Sequence, residues 1–351
     1  MLLRYLKDRK IPTGYSMLDE YPYLGRCCYS FDCDQFQTGC LHCRQDRKEY
    51  PATLLLRSSR KTLLDKQKAY DRFDRLCFTA PQWVLDRAES SYLLKGKQMY
   101  CVDEYVDTEN VFFPRSYSKN VYYKLPEELL QWRRKGTKLV LTVAPYSNPR
   151  KGGHYFLEMA ERFCEEEKAS AEQGEHQDAV ELDIARGGLL SERQKTHCTG
   201  RDGGSADEDN GNQNVRFIYV GMDDPTVVIP DNCCAVGYVK DQDLLAEYYS
   251  IADVFVCTSL ADTMPNVILD ALACGTPVIG FDNTGIPYTA EEPLGRFVPT
   301  GDVDALCRGV SEAPRKTEAL SDECRSYALN RYSPEVYYRR MQEVYQEAKR
   351  G

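Results

Sequence analysis

The sequence predicts an α/β protein long enough for two domains, with a parallel, doubly wound sheet in its second half, and three observations carry that prediction. Residues 138–144 (KLVLTVA) make a continuous apolar run, as in a strand covered on both faces. Further runs at 215–220, 234–239 and 253–257 alternate with helical stretches, and such alternation implies parallel strands joined by right-handed crossovers. At 351 residues the chain is long enough for two cores.

In chain order, residues 2–10 read as the end of an amphipathic helix and 14–18 as a short strand. A domain opening in this way is expected to have no first strand and no phosphate loop of its own. Residues 25–43 hold Cys27, Cys28, Cys33, Cys40 and Cys43, with Gly25 and Gly39 supplying turns. Cys27, Cys33, Cys40 and Cys43 offer four thiolates for a tetrahedral structural zinc, closed by a C-x2-C pair. The first spacing is wide, His42 and Cys28 compete as ligands, and small cysteines buried in a loop are the plain alternative. Four thiolates would leave no open position for catalysis. A charged helix is expected over 57–70, a strand at 76–80, a helix from Pro81 through Ser90 and a strand at 99–102. Residues 106–114 read as a loop. A connector and helix follow over 122–135, with Pro126, Glu127 and Glu128 marking the helix start.

The second domain is expected over 136–320. Its first strand leads into the loop 145–151 and a helix over 152–164, and another helix lies at 241–251. Residues 166–213 lack Phe, Tyr and Trp and include GRDGGSADEDNGNQN, so they read as a disordered surface insertion, with a helix allowed near 179–190. Residues 321–351 read as helices at 322–330 and 334–349 that pack back toward residues 1–135. On the second helix Tyr337, Tyr338, Met341, Val344 and Tyr345 would form the apolar face.

One segment stands out, from Asp262 through Thr263, Met264, Pro265, Asn266 and Val267 to Asp270, Gly275 and Pro277. It reads as a turn, a short helix and a following buried strand. Thr263 suits the N-cap, Pro265 the first turn and Gly275 the C-terminal stop. A helix N-terminus facing the mouth of a sheet favours an anion such as phosphate. Asp270 lies one turn after Asn266, so both side chains can face one crevice. A plain buried helix suits the same apolar residues, and the segment alone leaves both readings open.

Composition narrows the classes. Lys and Arg number 45 against 54 Asp and Glu, a net charge of −9, which argues against general nucleic-acid binding. No apolar run reaches the ~18 residues of a membrane span, and the N-terminus lacks the pattern of a secretory signal. Fifteen cysteines, an odd number, point to reduced thiols in the cytoplasm.

The stretch ADVFVCTSLADTMPNVILDALACGTPVIGFDNTGIP resembles the carboxy-terminal half of family-4 retaining glycosyltransferases, which place two Rossmann-like domains face to face in the GT-B fold. The acidic pair with seven residues between is Asp262 and Asp270, and Asn283 to Pro287 resembles the family's glycine-rich loop. Asn148, Pro149, Arg150, Lys151 and Gly152 resemble its basic loop. Upstream, residues 15–27, the run from Tyr29 to Cys33, the Cys40/Cys43 pair, 79–83 and 106–108 resemble bacterial polysaccharide-assembly members.

The resemblance implies a nucleotide diphosphate sugar donor, a glycan or lipid-linked acceptor, a role in surface-polysaccharide synthesis, and peripheral contact with the cytoplasmic membrane. Arg150 and Lys151 would stabilise the leaving phosphate without a metal, helped by backbone groups at Met264, Pro265, Asn266 and Val267. Asp262 would contact the transferred sugar and Asp270 the ribose. Leu18 stands where related proteins commonly carry histidine, and comparison with the family implies an amino-terminal domain without its first strands. An alternative follows from both: a homologue that binds nucleotide sugars but is catalytically impaired. A zinc-stabilised interaction module is a third reading.

Overall fold

The structure, a computed structural model, describes residues 5–6, 8–41, 59–73, 75–115, 125–186 and 214–350. Strands β1 (Thr13–Ser16), β2 (Leu76–Ala80) and β3 (Gln98–Cys101) pair in that order, all parallel. Helices α1 (Ser59–Tyr70) and α2 (Gln82–Glu89) accompany them, and Leu63, Phe78, Val84 and Leu94 lie in their shared core.

The second sheet contains β4 (Lys138–Val143), β5 (Val215–Val220), β6 (Cys233–Val236), β7 (Val254–Cys257), β8 (Val278–Asp282) and β9 (Gly295–Pro299). Its order is β6-β5-β4-β7-β8-β9, again entirely parallel. The order reverses between β4 and β7, and in open α/β sheets ligands bind outside the carboxyl ends of the strands at such a point. Both faces of the sheet are covered, with Leu139, Leu141 and Ile218 in one apolar cluster and Val140, Phe217 and Tyr219 in another. Helices α3 (Glu127–Arg134), α4 (Gly153–Arg186), α5 (Gln242–Ile251), α6 (Asn266–Ala273) and α7 (Val303–Glu312) surround it.

Two buried charges pin the amino-terminal ends of the central strands. Asp253 has no exposed surface, pairs with Arg133 at 2.8 Å and accepts from the Leu139 amide at 2.8 Å and the Lys316 amide at 3.1 Å. Lys138, also fully buried, donates to the carbonyls of Val310, Ser311 and Ala313, where a cation completes the C-terminus of α7.

Helix α8 (Glu318–Tyr332) packs on the second domain through Cys324, Ala328 and Tyr332, and α9 (Pro334–Arg350) reaches the first sheet. Arg331 pairs with Asp103 at 2.9 Å, and Val344 packs on Cys77 and Val102. Tyr337 and Met341 join that contact, but Tyr338 and Tyr345 are half exposed, so the apolar face is narrower than the sequence suggested.

Two further differences are informative. Helix α4 continues to Arg186 across the expected boundary at 166, because EEEKASAEQ combines strong helix formers with the polarity of an exposed face, and residues 165–170 are exposed. The insertion beyond 186 lies outside the described residues. Strand β9 and helix α7, unanticipated in the sequence, complete the far edge of the second sheet. Among the described residues no two cysteines are joined in a disulfide. Among the described residues no helix is long and apolar enough to cross a membrane.

Candidate active site

The loops leaving β4 and β7 meet at the switch point of the second sheet. After β4, Asn148 caps a single 3-10 turn, Pro149–Lys151, its side chain accepting from the Arg150 amide at 3.1 Å. Gly152 ends the turn at φ +64, and a Cβ there would lie 2.0 Å from the Thr258 carbonyl oxygen. That close approach draws the loops together, and the Leu260 amide donates to the Arg150 carbonyl at 2.7 Å.

Arg150 and Lys151 consequently converge on Asp262. Lys151 Nζ lies 2.6 Å from Asp262 Oδ2, and Arg150 Nη1 lies 3.5 Å from the same oxygen. Arg150 Nη1 also donates to the Ala261 carbonyl at 2.5 Å. The backbone of Asp262 is held by the loop after β8. Its N–H donates to Thr284 Oγ1 at 2.9 Å, its carbonyl accepts from that hydroxyl at 2.7 Å, and the Gly285 amide adds a bond at 2.8 Å. Only glycine fits at 285, where a Cβ would sit 1.7 Å from the Thr263 carbonyl oxygen.

Helix α6 begins directly after this cluster. Pro265, not Thr263, occupies the N-cap position and gives no side-chain cap, leaving the first backbone N–H groups without intrahelical partners. Thr263 cannot cap because the turn is two residues longer than expected. Its hydroxyl instead donates to the Leu18 carbonyl in the other domain at 2.9 Å. Gly275 ends the helix region at φ +78, as its position suggested. Asp270 sits one turn after Asn266, beside Tyr249 of α5. Among the described residues its carboxylate has no hydrogen bond or ion pair, and burial pushes its pKa well above the usual range.

The opposite wall comes from the first domain. The Tyr29 ring lies 4.4 Å from the Arg150 guanidinium, and burial, then the Asp262 charge, pushes its phenol up to about 12. Glu104, three residues past β3, donates its amide to Met264 Sδ at 3.3 Å, and its carboxyl is raised by burial and then by Asp262. Leu18 is 64% exposed beside this crossing. The structure thus brings together Arg150, Lys151, Asp262, Met264 and Pro265, with Asn266 and Val267 opening α6 and Asp270 a turn deeper. Thr284, Tyr29 and Glu104 belong to the same crossing, and sequence reasoning gave them no role. Thr284 and Tyr29 fell inside motifs quoted above, but only the fold shows what their side chains reach.

The cysteine loop lies behind that wall. Cys27, Cys33 and Cys40 line one small cavity with Phe36 and Ser30. Among the described residues no three His, Cys, Asp or Glu side chains are grouped to hold a metal ion. Cys43 lies outside the described residues.

Residues 206–314 match the family described as Glycosyl transferases group 1. That match covers the six-stranded sheet from β5 to α7. Two curated glycosyltransferases are similar to part of this chain. D-inositol 3-phosphate glycosyltransferase of Saccharomonospora viridis is 32% identical over 136 residues, which is 37% of this chain and 29% of that protein. Amylovoran biosynthesis glycosyltransferase AmsK of Erwinia amylovora is 24% identical over 124 residues, or 32% of this chain and 30% of its own. The chain thus spans less than a third of the length of these relatives. Solved structures extend the likeness to both sheets. Sucrose-phosphate synthase from Thermosynechococcus elongatus superposes with a TM-score of 0.54 at 18% identity, covering 84% of this chain and 63% of that one. HepE of Anabaena, solved in complex with UDP, gives 0.55 at 13% identity, covering 98% and 77%. The fold of this chain is therefore GT-B.

Proposed function

We propose that this chain is a retaining, metal-independent glycosyltransferase that moves a sugar from a nucleotide diphosphate sugar to a hydroxyl of a glycan or lipid-linked acceptor. One observation carries the reading: Arg150 and Lys151 converge within 3.5 Å of Asp262 at the switch point, directly before the uncapped start of α6. Transfer breaks the bond between the anomeric carbon and a phosphate oxygen, so negative charge grows on the leaving diphosphate. Arg150 and Lys151 stabilise that charge, and the α6 N-terminus adds backbone donors. Asp262, held in place by Thr284 and Gly285, is positioned to accept from a hydroxyl of the sugar. Asp270, unpaired in the described protein, accepts from the ribose hydroxyls. The complex of HepE with UDP supports the donor class.

Release of nucleoside diphosphate from a panel of UDP- and GDP-sugars tests this reading. Lys151→Ala and Asp270→Ala are expected to lose it, and full turnover in both variants would contradict the assignment. Leu18 favours a second reading, nucleotide-sugar binding with little catalysis. An exposed aliphatic side chain next to the Thr263 contact can neither donate nor accept a proton. Calorimetric binding of the same panel without product would select it.

A further inference from the structure

The Tyr29 ring stands over Arg150 across the domain boundary, and the surrounding contacts show that this placement is built. Ser30, the next residue, is buried and anchored to the fully buried Glu20. Its amide donates to Glu20 Oε2 at 2.7 Å, and its hydroxyl donates to Oε1 at 2.8 Å. Arg87 of α2 neutralises Glu20 at 2.9 Å, and the Tyr23 hydroxyl adds a bond at 2.8 Å. Tyr29 is thus presented by a loop fixed to the core of the first domain. On the other side Arg150 is held at its guanidinium by the Ala261 carbonyl and Asp262, and at its backbone by Leu260.

We propose that Tyr29 is a positioning residue for the diphosphate of the donor, acting through Arg150. The ring face holds the guanidinium by a cation–π contact 4.4 Å from the ring centroid, leaving its free N–H groups for a phosphate. The contact joins the cysteine-rich loop of the first domain to the basic loop of the second. This deepens the donor reading above and rests on it. The face of the ring provides the hold, and the phenol hydroxyl is dispensable.

Calorimetry with UDP and GDP tests the proposal in wild type, Tyr29→Phe, Tyr29→Leu, Arg150→Ala and the Tyr29→Leu/Arg150→Ala double variant. Tyr29→Phe is expected to bind within about twofold of wild type, because the ring face is kept. Tyr29→Leu is expected to weaken binding roughly three- to thirtyfold, the span of one cation–π contact. In the Arg150→Ala background the same change is expected to do nothing further, since its route is already removed. Thermal melts of each variant confirm that all are folded, and the Phe variant keeps the comparison usable if the Leu variant is not. In that case loss of affinity in Tyr29→Phe overturns the proposal. Undiminished affinity in Tyr29→Leu, or an equal loss with and without Arg150, overturns it as well. Wild-type protein that binds neither nucleotide would overturn the donor reading itself, an outcome distinct from binding indifferent to Tyr29.

Discussion

Each domain is organised around one fully buried carboxylate, and the two serve opposite ends of their sheets. Asp253 lies at the start of β7 and ties β4, Arg133 and the 316 region together, away from the crevice. Glu20 lies past the end of β1 and holds Ser30, Tyr23 and Arg87 at the crevice wall. Both are buried ions satisfied by an arginine and backbone donors, an arrangement costly to break by removing one partner. The lesson is one of placement. The second domain keeps its structural hub remote from the chemistry, whereas in the first domain stability and the shape of the site depend on the same residue.

That contrast can be broken or sharpened by mutation, beginning outside both hubs. Lys151→Ala removes a cation from the proposed leaving group and is expected to lower turnover at least about a hundredfold, or ~3 kcal/mol, with the urea midpoint little changed. Steady-state release of nucleoside diphosphate measures it. Asp253→Ala is expected to cost ~3–5 kcal/mol in urea unfolding while UDP affinity, measured well below the midpoint, stays near wild type. Glu20→Gln should cost less, ~1–3 kcal/mol, because the amide keeps some of the bonds, yet it should weaken UDP binding by loosening Ser30 and Tyr29. Equal effects of these two variants on affinity would erase the distinction between the hubs.

The smallest effect on stability is expected at Asp270, and its sign is opposite. Burial raises its carboxyl in the folded protein, so its favourable contribution holds below the ordinary aspartate value and is lost as pH rises toward the folded value. Asp270→Asn is therefore expected to melt above wild type at ~pH 8, with the gap closing toward ~pH 4, while UDP binding weakens. Melting curves at the two pH values check it, and a gap that widens on acidification would refute the account.

Much of this was legible before the fold was known, for reasons that differ by residue. Continuous apolar runs made β4, β5 and β7 readable, since a strand covered on both faces must be apolar throughout. Arg150, Lys151, Asp262 and Asp270 were visible because their chemistry is carried by residue type within short motifs. Thr263 suits an N-cap by residue type, but α6 starts two residues later and the hydroxyl reaches Leu18, a contact 245 residues away in sequence. Tyr29, Glu104 and Thr284 matter through tertiary neighbours, which no local pattern encodes. The end of α4 was hidden because a polar stretch without aromatics suits an exposed helix as well as a loop.

The central claim is that the switch point between β4 and β7 holds the donor diphosphate. A structure of the protein determined with bound UDP or GDP tests it most directly. The diphosphate is expected against Arg150, Lys151 and the first amides of α6, with the ribose hydroxyls at Asp270. A nucleotide bound away from these residues, with the Lys151–Asp262 pair undisturbed at 2.6 Å, would contradict the account.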